Sequence, residues 1–490
     1  MEHLLINTAS EADSHSVFSQ KVYRFPCIVA ERMCSNSSRR GLRMADQTQA
    51  EPGQQAPQAP RWNIITRIAF RFFFLYLGLF VLCFFPVYVQ LLFNPHPFSR
   101  LLLYGIWPMR PIVFWTGAHL FHVPHPLDLG AGTDGIYEWV GAFCLLVIAV
   151  FAAGIWSVLD RRREDYFTLH KWFHLTLRFV LATLMILYGM HKVIPAQMNF
   201  PNLFQLVQPF GHFSLTEVLW TSVGAAPACE IFTGCMETLG GLLLIVPRTT
   251  ALGAVICLAD LINVFALNLA YDVPVKLTVL HWILLTLVLL APEVPRLAKF
   301  FFMNRMTEPS PQPQLFRTRR ANRIALAVQI ILGMCLLGAS INEVWKTEWL
   351  VYGGGAPKLA LYGIWDVDNL SMDGQERAPL QTDNDRWRRV IFDSGYLYDL
   401  NFLADQGAVV FQHMDDSLAY YLVSIDTHDK TITLTNPRDA NWKARFTYER
   451  PAQDQLVIDG EMDQHKLHMQ LELVDRKKFK LVSNGFHWIQ

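Results

Sequence analysis

Seven stretches of the chain stay apolar long enough to cross a hydrocarbon layer roughly 30 Å thick as helices. They run over residues 66–92, 136–159, 173–191, 228–246, 250–270, 275–291 and 322–342. Gly and Pro interrupt several of them, which membrane helices tolerate when neighbouring helices satisfy the freed backbone. After Gly353-Gly354-Gly355, read here as a hinge, the pattern changes to alternation. Thr431–Thr435, Lys443–Tyr448, Gln455–Ile458, Lys466–Leu473 and Lys478–Val482 alternate polar with apolar residues, and turn sequences such as Asn436-Pro437-Arg438-Asp439 and Asp459-Gly460 separate them. The fold expected is therefore a multi-domain membrane protein: an all-α polytopic bundle of about seven spans, then an all-β antiparallel barrel or sandwich.

The segments divide accordingly. Residues 1–60 lack periodicity and include the Gln-, Pro- and Ala-rich stretch Gln47–Pro60, so they read as a disordered cytoplasmic leader without a secretory signal; Met44 is an alternative start. Residues 61–168 carry additional spans around a His-rich loop, 169–298 a four-helix bundle, 299–321 a basic linker, 322–345 the last span and 356–490 the β-domain.

Composition sharpens this picture. Apolar residues make up 52% of the chain and charged ones 17%, against about 25% charged in soluble domains. The 42 basic and 42 acidic residues cancel, which gives no support to a nucleic-acid partner and leaves the lipid bilayer as the expected one. The cancellation is between compartments. Residues 61–357 hold 21 basic and 15 acidic residues (+6), and residues 358–490 hold 15 and 21 (−6). Arg61, Arg67, Arg71, Arg161, Arg162, Arg163, Arg248, Arg296, Lys299, Arg305, Arg317, Arg319, Arg320 and Arg323 all fall on one side of a seven-span arrangement. That side is expected to be the cytoplasm, with the N-terminus on it and the C-terminal domain on the other. The eight cysteines form no C-x-x-C pair. His119, His122 and His125, with His96 nearby, are interrupted by Pro124 and Pro126, so no metal site is expected.

Ionisable groups within the spans are costly and point to function. Arg178, Glu237 and Asp260 each fall roughly 12–16 Å deep at about 1.5 Å per residue. Asn263 lies one turn beyond Asp260, and His281 reaches the same level. A second layer at the non-cytoplasmic edge holds His191, Lys192, Glu230, Asp272 and Lys276. Glu230 and Glu237 are seven residues apart and share a helix face. Two readings stay open. In one, Arg178 pairs with Glu237 or Asp260 and Lys192 with Glu230, fixing only helix register. In the other, Glu237, Asp260 and His281 exchange protons with a bound redox or lipid-like substrate held by Arg178, His191, Lys192, Glu230 and Asn263. One arginine against two carboxylates leaves a surplus negative charge, which supports proton chemistry.

Arg178, the segment Tyr188-Gly189-Met190-His191-Lys192 and the run from Glu237 through Gly240-Gly241 to Pro247-Arg248-Thr249-Thr250-Ala251 resemble the DoxX-like family of four-helix membrane proteins, over about residues 169–298. The resemblance implies a membrane subunit tied to redox chemistry in a bacterial inner membrane, with a quinone as the cofactor in view and an oxidoreductase subunit as partner. The C-terminal stretch, with its Gly485–Ile489 ending, is similar to lipocalin-like tails appended to some bacterial DoxX-like proteins. No G-x-G-x-x-G joins a strand to a helix, so an autonomous nicotinamide enzyme is not expected. Two other functions stay open: a non-enzymatic binder or carrier of a lipid-like ligand using the β-domain, and a membrane assembly factor. In the β-domain Trp365, Trp387, Tyr421, Trp442 and Trp488 either line a pocket or fill a core.

Overall fold

The computed structural model describes residues 62–93, 109–123, 133–310, 314–351, 353–383, 385–393 and 407–485. The expectations for the leader 1–60, Met44, His96, His125 and Phe486–Ile489 lie outside these residues. In chain order the helices are α1 (Ile64–Phe93), α2 (Arg110–His119), α3 (Ile136–Leu159), α4 (Phe167–Val193), α5 (Leu215–Gly224), α6 (Pro227–Ile245), α7 (Thr250–Ala270), α8 (Lys276–Leu290), α9 (Val294–Phe301) and α10 (Arg319–Glu343). Seven of them, α1, α3, α4, α6, α7, α8 and α10, are long and apolar enough to cross a membrane, so this is a multi-pass membrane protein. Successive spans alternate in direction, and the β-domain follows the end of α10. That end of the bundle is its barrel side.

The α4 helix is the axis of the bundle. Its apolar window is 72% buried, against 22% for α3, whose remaining surface faces outward. Close approach of α6 to α4 depends on missing side chains. A Cβ on Gly189 would stand 2.4 Å from Thr238 Oγ1 and 2.9 Å from the Gly234 carbonyl, and one on Gly234 would stand 2.6 Å from the Gly189 carbonyl. Small residues at such crossings let backbones touch, which is how helices associate where lipid and side chain are equally apolar. The α6–α7 contact uses the same device, since a Cβ on Gly253 would lie 2.9 Å from the Gly240 carbonyl.

Two starts of helices on the barrel side are fixed by caps, and the first of these helices, α5, escaped the periodicity reading. The α5 helix starts at a capping box, in which Ser214 Oγ accepts from the Glu217 N–H (3.2 Å) and Glu217 Oε2 accepts from the Ser214 N–H (2.7 Å). The α8 helix is capped from the distant loop before α3: Asp134 accepts from the backbone N–H groups of Lys276 (2.9 Å) and Leu277 (2.8 Å).

The β-domain is a closed eight-stranded antiparallel barrel: β1 (Gly363–Met372), β2 (Trp387–Asp393), β3 (Ala408–His413), β4 (Leu418–Asp426), β5 (Thr431–Asn436), β6 (Asp439–Ala452), β7 (Gln455–Met462) and β8 (His465–Leu473). Each strand pairs with the next, and β8 returns to pair with β1, Trp365 lying opposite Leu473 and Met372 opposite Leu467. Closure corrects the expected strand Lys478–Val482. With β1 already taken on both sides no edge remains for it, and the segment forms a short turn of helix, Lys480–Ser483. Trp365, Trp387, Phe392, Phe411 and Phe446 are buried inside with Val390 and Leu456, so the lumen is filled with side chains. The aromatic residues there are core.

The glycine run after α10 is not a free hinge. The chain continues α10 into a π-helical turn, Val344–Trp349, and then folds back on it. A Cβ on Gly354 would stand 2.5 Å from the Trp349 ring, so Gly353–Gly355 lie against that indole. A second attachment joins barrel and bundle. The loop after α4 inserts Leu203 and Phe204 against the outer face of the barrel at Ile364, Ile391, Ala408 and Val410. The Leu203 N–H donates to Asp393 Oδ2 (2.7 Å), and Gln412 Nε2 donates to the Val207 carbonyl (3.2 Å).

Two outcomes follow from this packing. Gly189→Ala is expected to destabilise the bundle by about 1–3 kcal/mol, because the extra methyl overpacks the contact with α6. Gly154→Ala, which meets nothing within 4 Å, should leave the melting temperature in detergent unchanged or slightly raised. In the barrel the turn carboxylates Asp373, Asp415 and Asp426 are held below the usual aspartate value of 3.8 by bonds from His465, from the Ser417 hydroxyl and from the Asp429 backbone, respectively. Their contribution is complete above that value and disappears as pH falls through the lowered one. The protection factors of the barrel amides in the full chain, taken relative to the slower intrinsic exchange in acid, are therefore expected to fall below about pH 4.

Candidate functional site

The α4–α6 contact decides which ionisable groups meet. With Gly189 against Gly234 and Thr238, the end of α4 lies beside the middle of α6. Lys192 Nζ then donates to Glu237 Oε1 inside the bundle, with side-chain exposures of 9% and 5%. On α7 the Asp260 carboxyl lies beside that of Glu237. Neither Glu237 Oε2 nor Asp260 Oδ2 receives a hydrogen bond from a donor, although both atoms are buried. Lys192, Glu237 and Asp260 thus form one polar centre.

Arg178 is not part of it. It lies roughly 16 Å along α4 from Gly189 at about 1.5 Å per residue. There it meets the end of α6, which stops because Pro247 has no N–H to continue the ladder. The carbonyls left over are answered by side chains. Thr249 Oγ1 donates to Leu243 O (2.7 Å), Arg178 Nε to Leu244 O (2.9 Å) and Arg178 Nη2 to Ile245 O (2.7 Å). Arg178 Nη2 also reaches Gln329 Oε1 on α10 at 3.2 Å. The expected pairing of Arg178 with Glu237 or Asp260, and of Lys192 with Glu230, is corrected by this register. Glu230 is fully buried and accepts instead from the backbone N–H of Met198 (2.9 Å).

His281 and Asn263 lie away from the centre. His281 Nδ1 bonds the Leu277 carbonyl (2.8 Å), so it carries hydrogen, and Nε2 is left to accept from Tyr76 Oη (2.8 Å). That arrangement is complete for a neutral ring, which also stacks on Phe80 at 4.3 Å. Asn263 is exposed on the outer surface of α7. Neither reaches the carboxyl pair.

His191 has a different environment. It lies on the wall of a cavity of about 470 Å³ on the barrel side. Tyr188, Phe200 and Trp220 give this cavity aromatic faces, and Asn199, Asn202 and Gln205 give it amides. His191 Nδ1 donates to the Leu187 carbonyl (2.7 Å), and Nε2 stands 2.8 Å from Glu348 Oε1. A neutral ring with hydrogen on Nδ1 would present a bare nitrogen to a carboxylate. The short contact therefore requires one more proton, on Nε2 or on Glu348.

Glu348 and the amides of the cavity were missed by the sequence reading. Glu348 lies past the expected end of the last span, on the π-helical turn, and such turns recur at functional sites. The available signal was the pair Glu343 and Glu348 set among Trp345 and Trp349 just beyond an apolar run. The amides sit in a loop with no periodicity to mark them. Among the described residues no group of His, Cys, Asp and Glu side chains has a metal-binding arrangement.

A protein of Bacillus subtilis (strain 168) named YwoB and described as uncharacterized is 34% identical to this chain over 101 residues, 21% of this chain and 64% of YwoB. The chain thus spans just under two thirds of that protein's length. No protein-family model matches the chain, and no solved structure matches it.

The cap formed by Arg178 can be tested. Lysine is too compact to serve two carbonyls and Gln329 together. Arg178→Lys is expected to cost about 1–3 kcal/mol, the penalty of one buried carbonyl left bare. The loss should appear as a lower melting temperature in detergent.

Proposed function

We propose that this multi-pass membrane protein is redox-linked and binds the head group of a quinone in the barrel-side cavity, where the His191–Glu348 pair handles the proton. The observation that carries this reading is the 2.8 Å contact of His191 Nε2 with Glu348 Oε1 on the cavity wall, a contact that requires a proton between the two atoms. A cavity of about 470 Å³ is of the size that holds small organic ligands, typically about 300–1,000 Å³. Its lining suits an amphiphilic ring: aromatic faces from Tyr188 and Trp220 for the plane, and polar groups of Asn199, Asn202 and the His191–Glu348 pair at the edges.

When bound, a quinone supplies two-electron redox chemistry accompanied by proton uptake. The chain's own contribution is acid–base and positional. Leu187 O fixes the tautomer of His191, leaving Nε2 and Glu348 as the groups that hold a proton at the wall and yield it to a polar atom in the cavity. Electrons come from a partner oxidoreductase in this reading, as the resemblance to DoxX-like proteins implies. The same proposal includes a bacterial inner membrane and a barrel outside the cytoplasm. It is supported by basic residues at the end of the bundle opposite the barrel, among them Arg67, Arg161 and Arg163.

A second reading, a carrier of a lipid-like ligand, has the same cavity in its favour but not the barrel lumen, which Trp365, Trp387 and Phe392 fill. Solvent extraction of the purified protein followed by mass spectrometry separates the two. A quinone is expected in the wild type and about tenfold less of it in His191→Ala and Glu348→Gln, the loss corresponding to one charge-assisted hydrogen bond. Unchanged retention in both variants would count against quinone binding at this pair. A phospholipid in its place would favour the carrier.

A further inference from the structure

The Lys192–Glu237–Asp260 centre lies outside the cavity and takes no part in the proposed ligand contacts, so what it does has to be settled on its own geometry. Three helices supply it. From α4 comes Lys192, from α6 Glu237 with Glu230 a turn pair away, and from α7 Asp260 with the buried thiol of Cys257. Glu230 Oε1 accepts from the Met198 backbone N–H, while its Oε2 is buried without a donor, so this acid lies apart from the Lys192–Glu237 bond but shares the same interior. What remains is one ammonium group and two carboxyl groups, with Glu237 Oε1 bound to Lys192 while Glu237 Oε2 and Asp260 Oδ2 are buried without a donor.

Two carboxyl groups in contact repel each other when both are ionised, and burial among helices removes the water that would screen them. A hydrogen between them turns the repulsion into a short hydrogen bond and satisfies both bare oxygens at once. It also balances the charges within the trio, because Lys192 then faces one negative charge shared by Glu237 and Asp260. An ion pair serving only helix register would need Glu237 alone, and an apolar residue at position 260 would cost less than a half-buried acid with a buried, donorless Oδ2.

We propose that Glu237 and Asp260 hold one exchangeable proton between them as an intramembrane proton site, with Lys192 balancing the remaining negative charge. When that proton leaves, two carboxylates face one ammonium in an apolar interior. Release is therefore tied to entry of water or arrival of another cation. This site stands whether or not the cavity binds a quinone.

Infrared spectroscopy of the full chain in lipid vesicles tests it through the carbonyl stretch of a protonated carboxyl group, identified by its shift in ²H₂O. A band is expected in the wild type. Asp260→Asn should remove it, because Glu237 stays ionised against Lys192. Glu237→Gln should remove it too, because Asp260 then takes the ammonium. Lys192→Met should enlarge it, because no cation is left to hold either carboxylate. A wild-type protein without any exchangeable carboxyl band overturns the proposal whatever the variants do. A band left intact by both Asp260→Asn and Glu237→Gln also overturns it, placing the proton on some other group. Because quinone retention is not the readout, failure here is distinguishable from failure of the cavity reading.

Discussion

A cation inside a hydrocarbon layer has to find its counter-charge within the protein, and Lys192 finds it in Glu237. The contact is possible only because the backbones of α4 and α6 touch at Gly189 and Gly234. Any side chain there would push α6 outward and strand both charges. The register set at this point then fixes the rest. It brings Arg178 to the bare carbonyls at the end of α6, carries Asp260 against Glu237 through the neighbouring α6–α7 contact, and leaves His191 facing the cavity from the adjacent position on α4.

The three parts of the chain are thus linked by specific bonds. Arg178 ties α4 to α6 and, through Gln329, to α10. At the end of α10, Glu348 returns to α4 at His191. The last span is therefore clamped to the central helix near both ends. Without that second clamp the cavity would lose both a wall and its acid.

Much of the architecture is legible in the sequence because it depends on length and period. Apolar runs of about 20 residues can be little other than spans, and the alternation at Lys466–Leu473 reads as a strand in any context. What the sequence does not carry is register. Lys192 and Arg178 are both basic, and Glu230 and Glu237 share one face of α6. Choosing among their pairings needs the axial offset of α4 against α6, which glycine contacts set and hydropathy does not. The strand expected at Lys478–Val482 shows a related limit: its pattern is adequate, but the barrel has already closed on β1. The cavity was the least legible part. Its amides lie in a loop whose conformation depends on what it packs against, and Glu348 belongs to it only because the chain continues as a π-helical turn.

The barrel is held at two places, by the chain leaving α10 with its glycines on Trp349 and by Leu203 and Phe204 seated on its outer face. A body mounted at two points cannot swivel freely; it works as a lever. Its second mount belongs to the same loop that supplies Asn199, Asn202 and Gln205 to the cavity. A torque on the barrel is therefore delivered directly to the cavity wall, and a change of cavity shape is delivered back to the barrel.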